Sequence, residues 1–315
     1  EPNTVLKTSS GKIRRKASKE LYENGLAGKP ARAVWLQLAA FALSNVKPQL
    51  KRAVRQLAAL AYAIYSWLLF CLAAPLVALA IAVFPSRNSR WQFIRGCLKL
   101  LVTMTATPMT VEGMANLPAQ DTPCILAANH ASYIDSMILP LVLPGPFCFI
   151  AKGELRDNFL LRYLLPRLGI EFVERFNKQK GLEDSQQLTA LAKSGRSLIF
   201  FPEGTFMRMP GLLPFRMGAF ETAAKAGLPI VPLAIRGSRS ILRAGSWFPR
   251  RGAVRVIIGE PIDPGEILAR VDNDLWQTTV ELRNRTRSWI LTHTGEPDLE
   301  HERSPLLSGE RPEPQ

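Results

Sequence analysis

Histidine and cysteine are scarce in this 315-residue sequence. Three histidines occur, at 130, 293 and 301, and four cysteines, at 71, 97, 124 and 148, with no Cys-x-x-Cys among them. A disulfide-stapled miniprotein and a zinc ribbon are therefore excluded, and the pattern supplies no metal-ligand set. Acidic residues are also in deficit. Asp and Glu number 26 against 40 Lys and Arg, a formal charge of +14, so an anionic partner is implied. Hydrophobic residues at 47% and charged residues at 21% exclude wholesale disorder.

The basic surplus is local. Residues 1–56 hold seven Lys and five Arg against three Glu. Directly after them, Leu57–Phe84 runs for 28 residues without a charge. That exceeds the roughly 20 residues that cross a bilayer. Lys47, Lys51, Arg52 and Arg55 flank one end, and Arg87, Arg90, Arg95 and Lys99 the other, as residues do that snorkel to anionic headgroups. The alternative is a buried helix of a large core. A signal peptide is not indicated, because the run starts too deep and is too long. Pro75, inside the run, is expected to break it into two shorter helices, giving a re-entrant or hairpin anchor. An earlier apolar stretch, 33–43, is too short to cross alone. Nucleic-acid binding is disfavoured: the basic residues precede a lipid-seeking segment and lack interleaved aromatics.

Residues 100–293 alternate short β-rich runs with helical patterns. Strands are expected at 124–128, 147–151, 170–174, 197–201, 230–235 and 254–258. Helices are expected near 133–142, 156–168, 182–194, 217–227 and 274–292. This predicts an α/β fold with a mixed, largely parallel sheet flanked by helices, behind an N-terminal hydrophobic helical anchor. From Gly295 the chain is polar and Pro-rich and reads as a disordered tail.

Four segments carry possible chemistry. Asn129-His130-Ala131-Ser132-Tyr133-Ile134-Asp135 follows an apolar strand. On one continuous helix His130 and Asp135 would lie about 140° apart. With His130 in the loop and Asp135 in the first turn, the carboxylate can fold back onto the imidazole and leave the other ring nitrogen as a base. The same residues also fit a capping box with Ser132 at the N-cap, and the two readings are compatible. Phe201-Pro202-Glu203-Gly204-Thr205 is either a strand-ending turn or a polar binding loop. Arg175 closes Gly169-Ile170-Glu171-Phe172-Val173-Glu174-Arg175 and is either a solvated arginine or a phosphate ligand. Leu228-Pro229-Ile230-Val231-Pro232 reads as an edge strand.

In this order the four segments resemble the glycerolipid acyltransferase family, typified by 1-acylglycerol-3-phosphate acyltransferases. The resemblance covers about residues 85–293 and includes Ala151-Lys152-Gly153-Glu154-Leu155. It implies His130 as general base, oriented by Asp135. It implies Arg175, Glu203, Gly204 and Thr205 as acceptor-binding residues, with Lys152 as a further phosphate or coenzyme A contact. Many members continue the Pro-Glu-Gly-Thr block with Arg-Ser, whereas Phe206-Met207 stands here, and Arg208 or Arg216 is a candidate replacement. The implied reaction uses no cofactor beyond an acyl-CoA or acyl carrier protein thioester as co-substrate. The acceptor is a lysophospholipid, and the site faces the cytoplasm from the membrane. Another lysophospholipid or a lyso-aminolipid is the alternative acceptor, and a non-catalytic membrane module is the alternative from another class.

The chain opens on Glu1-Pro2 without Met, which reads as a fragment. Leu6-Lys7-Thr8-Ser9-Ser10-Gly11-Lys12 resembles the closing motif of AMP-forming acyl ligases, whose lysine at the place of Lys12 reaches the acyl-adenylate. The expected organisation is thus 1–25 ligase remnant, 26–56 basic linker, 57–84 anchor, 85–293 acyltransferase domain and 294–315 tail. An upstream ligase domain is the implied partner in a longer polypeptide.

Overall fold

The computed structural model describes residues 5–6, 11–24, 34–119, 122–173 and 178–300. The chain divides into two units, Glu1–Ala59 and Leu60–Gln315. In the first, the Arg14 N–H reaches the Leu6 carbonyl at 2.8 Å and helix α1 (Arg15–Glu23) follows. Helix α2 (Val34–Val83) contains both apolar stretches read separately in the sequence.

Pro75 does not break α2. Proline removes one backbone donor, at a cost of about 3 kcal/mol in a helix interior, and the hydrogen bonds on either side carry the helix through. The expected hairpin inside the run is therefore replaced by one continuous helix. The reversal comes after it, where Phe84–Ser86 lead into α3 (Arg87–Met104), capped by the Ser86 hydroxyl on the Ser89 N–H at 3.0 Å. The two helices lie antiparallel: the Tyr62 hydroxyl donates to the Thr105 carbonyl at 3.2 Å, while Arg90 donates to the Phe84 carbonyl at 2.7 Å.

Seven strands form one sheet: β1 (Met109–Glu112), β2 (Ile125–Ala128), β3 (Cys148–Lys152), β4 (Glu171–Val173), β5 (Leu198–Phe200), β6 (Ile230–Arg236) and β7 (Val254–Ile258). Their order is β1-β7-β6-β2-β5-β3-β4, and only the β6–β7 pair is antiparallel. Alternate residues serve opposite faces. Leu126, Ala128, Val231 and Leu233 join the core beneath α3 and α4 (Asp135–Val142). Ile125, Ala127 and Ile230 join the core on the other face. That face carries α6 (Lys178–Lys193), α7 (Gly218–Ala226), α9 (Pro264–Leu268) and α10 (Leu275–Thr294), while α5 (Phe159–Arg167) and the single turn α8 (Ser238–Ile241) complete the set. Cys124 and Cys148 sit in these cores, where burial pushes their thiols up to about 11 and leaves them poor nucleophiles.

Strand β6 is central, not the edge strand that its two prolines suggested. Pro232 is tolerated because it stands where the β7 ladder ends. Its carbonyl accepts the Gly259 N–H at 2.9 Å, and its ring fills the space that a side chain at Gly259 would need. The expected tail also begins later. Leu212 donates to the Pro297 carbonyl, Leu299 donates back to Leu212, and Arg287 pairs with Asp298 at 2.6 Å, so residues 295–300 pack on the domain.

Candidate active site

Parallel strands β2 and β5 lie side by side and end together, and their loops carry the residues singled out above. Where β2 stops, Asn129 extends its pairing with a side chain. The buried amide donates to the Ile235 carbonyl at 3.0 Å and accepts the Ile235 N–H at 2.7 Å. The next residue is His130. Its Nδ1 lies 3.0 Å from Asp135 Oδ2. The same oxygen accepts the N–H groups of Ala131 at 2.7 Å and Ser132 at 2.8 Å. The carboxylate thus folds back from the first residue of α4 and fixes loop and ring together.

Ser132 is not the N-cap. The helix starts at Asp135 without a side-chain cap, and the Ser132 hydroxyl donates to the Leu242 carbonyl at 2.5 Å. Only the acidic half of the capping box forms, because the serine is held by the segment after α8.

The His130 ring lies between Phe201, stacked at 4.3 Å, and Phe206, tilted at 4.3 Å. Phe206, the departure noted in the Pro-Glu-Gly-Thr block, thus packs on the imidazole. Tyr133 meets Phe206 edge-on at 4.8 Å, and Trp247 stacks on Tyr133 at 6.2 Å. Neither ring's role was read from the sequence, since both partners come from distant segments. Arg239 was also missed; its Nη1 donates to the carbonyls of Met207 and Met209 and pins their loop.

Glu203 is not at the opening, where a substrate ligand was expected. It is 2% exposed. Its Oε1 accepts the His130 N–H at 2.6 Å and its Oε2 accepts the Leu213 N–H at 2.9 Å. Desolvation, with the Asp135 charge adding to it, pushes its carboxyl up to about 8 against the opposing pull of the two N–H groups and Arg239. Gly204, buried at φ +70, donates to the Phe201 carbonyl at 2.9 Å and closes the turn. Thr205 is half-buried. The Arg216 N–H joins the Pro202 carbonyl at 2.9 Å, which brings this exposed residue to the same turn. Lys152 ends β3, with β5 between it and β2. Arg175 lies outside the described residues.

Beside the loop is an apolar cavity of about 360 Å³. Tyr133 and Ile134 form part of its wall, with Met137 of α4, Leu101 and Val102 of α3, and Trp247. Tyr62, Ser66, Trp67 and Phe70 of α2 close another side, and the Trp67 indole donates to the Trp247 carbonyl at 2.8 Å.

A histidine–carboxylate pair at adjoining strand ends, next to a cavity of this character, suits deprotonation of an alcohol beside a lipid tail. Residues 108–236 match the family model described as Acyltransferase. That segment holds the histidine loop and the Pro-Glu-Gly-Thr turn. Over 153 residues it is 36% identical to a chloroplastic 1-acyl-sn-glycerol-3-phosphate acyltransferase of Brassica napus, covering 48% of this chain and 44% of that protein. It is 34% identical to a chloroplastic 1-acyl-sn-glycerol-3-phosphate acyltransferase of Arabidopsis thaliana, over 56% of this chain and 50% of the relative. The human 1-acyl-sn-glycerol-3-phosphate acyltransferase beta is 32% identical over 47% of this chain and 53% of its own length. The chain spans about half the length of these curated relatives. Its fold is that of the 1-acyl-sn-glycerophosphate acyltransferase of Thermotoga maritima, with a TM-score of 0.60 at 22% identity over 76% of this chain and 97% of that one. His130, Asp135 and Glu203 lie within residues 108–236, and the cavity takes part of its wall from α2 and α3, outside that match.

Proposed function

We propose that this chain transfers a fatty acyl group from a thioester of coenzyme A or acyl carrier protein to the hydroxyl of a lysophospholipid. 1-Acylglycerol-3-phosphate, the substrate named in the relatives, is the first candidate. The observation that carries this reading is the His130–Asp135 pair beside the apolar cavity. Asp135 holds the proton on Nδ1, so Nε2 keeps its lone pair. Nε2 takes the acceptor's O–H proton as that oxygen attacks the thioester carbonyl. When the tetrahedral adduct collapses, the C–S bond breaks and the leaving thiolate takes the proton back. The products are an ester and a thiol, and no acyl-enzyme forms. Lys152, Arg216 and Arg175 are the proposed contacts for the acceptor phosphate or the coenzyme, and Thr205 for the acceptor. His130→Ala in purified protein, assayed with labelled acyl-CoA and a panel of lysolipids with products identified by mass, tests the reading; wild-type turnover would overturn it.

A membrane location is part of the proposal. Pro48–Val83 is long and apolar enough to cross a membrane. Along it, Leu60, Ile64, Leu68, Leu72, Leu76, Leu79 and Val83 form an exposed stripe at helical spacing. Tyr62, Ala63, Ala80 and Ile81 on the other side are buried. A helix held to its own domain by one face and apolar on the other suits lying in one leaflet, with the thioester site on the cytoplasmic side.

Phe206 supports a second reading of the acceptor. An aromatic ring packed at a tilt on His130 supplies no phosphate contact where the resembled family carries arginine. A lysophospholipid with another headgroup, or a lyso-aminolipid, would meet that ring without losing an ion pair. Residues 1–25 we read as a remnant of the closing segment of an acyl-adenylating ligase, in which Lys12 is inert in this chain and has a role only where a longer polypeptide carries an upstream ligase.

A further inference from the structure

We propose that helix α5 is a second lipid contact, inserting its first turn among the headgroups of an anionic bilayer beside the α2 stripe. The inference rests on the membrane reading above and adds a surface to it. In α5, Phe159 is 76% exposed, Leu160 54% and Tyr163 48%. Positions 159, 160 and 163 share one helix face. Leu164, which flanks this face, is buried in the fold. The exposed apolar face therefore does nothing for the core.

Arginines frame this face. Arg162 lies over the Phe159 ring at 6.0 Å, and Arg167 over the Tyr163 ring at 4.5 Å. Guanidinium groups on aromatic rings suit a headgroup layer, where the rings enter the acyl boundary and the charges meet phosphates. Glu154 and Asp157 are exposed in the turn before the helix and offset part of this charge, so aromatic insertion supplies most of the attraction. The Asn158 side chain caps the N–H groups of Leu160 and Leu161 at 3.0 and 3.2 Å, which lets the helix end approach lipid without bare donors.

The lipid choice follows from position. Arg167 donates to the Ala82 carbonyl at 2.6 Å, and Arg90 donates to the Arg167 carbonyl at 2.6 Å. The end of α5 is thereby locked to the last turn of α2, next to Leu79 and Val83 of the exposed stripe. That bond sets the exposed face of α5 on the same end of the domain as the stripe's last residues. At nine residues α5 is too short to cross and must lie in the plane of the surface.

The test uses the full chain with Cys71→Ser and Cys97→Ser, leaving two buried thiols. An environment-sensitive fluorophore is attached at Phe159→Cys, Leu72→Cys or Ser288→Cys, the last on α10 across the sheet. Vesicles of phosphatidylcholine and phosphatidylglycerol with brominated chains are added. A blue shift and quenching at 159 and 72 but not at 288 support the proposal. Quenching at 72 with 159 behaving like 288 overturns it and leaves the membrane reading standing. No quenching at 72 overturns both.

Discussion

The Glu203 carboxylate grips the main-chain N–H of His130 at 2.6 Å from inside the protein, while Asp135 holds the ring of the same residue at 3.0 Å. Two acids thus act on one histidine, one through its backbone and one through its side chain. The Pro-Glu-Gly-Thr turn is joined to the histidine loop by this bond, and to the segment at Leu213 by the other carboxylate oxygen.

Glu203 should leave a signature in stability. Its folded pKa of about 8 lies above its ordinary value of 4.5, so the folded state holds the proton more tightly. Below pH 4.5 both states are protonated and there is no cost. Between 4.5 and 8 the unfolded chain ionises first, and stability falls; above 8 the loss is complete. Glu203→Gln should flatten that slope in denaturant titrations across this range. Glu203→Ala, which strands two N–H groups, should cost on the order of 2–4 kcal/mol.

Asp135→Asn should separate orientation from folding. An amide oxygen in the place of Oδ2 can still accept from Ala131 and Ser132, but the negative charge that would stabilise the imidazolium is gone. The expected result is a fall in kcat of about 10³ or more with little change in KM, as when a triad carboxylate is neutralised. His130→Ala should fall at least as far while its circular dichroism matches wild type.

Asn129→Ala removes both ends of a buried bidentate contact with Ile235. A loss of roughly 2–3 kcal/mol is expected in chemical denaturation. Asn129→Asp should be worse at neutral pH, because a buried carboxylate would face the Ile235 carbonyl.

Ser66 lines the cavity from α2. Ser66→Phe should shift selectivity toward shorter acyl chains. Each methylene denied burial costs about 0.8 kcal/mol, so blocking two lowers kcat/KM for the longest accepted chain roughly tenfold. Competition between acyl donors of different length reads this directly; unchanged selectivity would place the acyl chain elsewhere.

The strands β2, β3, β5, β6 and β7 were legible because buried parallel strands are short apolar runs between turn residues. β1 was not. Its sequence Met-Thr-Val-Glu is exposed along one edge and is held by β7 and by the Arg255–Glu112 pair, and such distant partners leave no local pattern. The His130–Asp135 pairing was legible as a loop-to-helix fold-back. The inward aim of Glu203 was not, because nothing in the pentapeptide says which side of the turn Leu213 occupies. Ser132 was misplaced for the same reason: its bond to Leu242 spans 110 residues. Pro75 and Pro232 misled because both sit where a missing donor is tolerated, one in a long helix and one at a ladder end.

Tyr62, Ser66, Trp67 and Phe70 close one side of the cavity, so the helix proposed as an anchor also builds the proposed site. Trimming the chain before Arg87 to make it easier to purify would strip away that side. The shortened protein would lose the bond from Trp67 to Trp247 and expose a greasy trough to water, a surface prone to self-association.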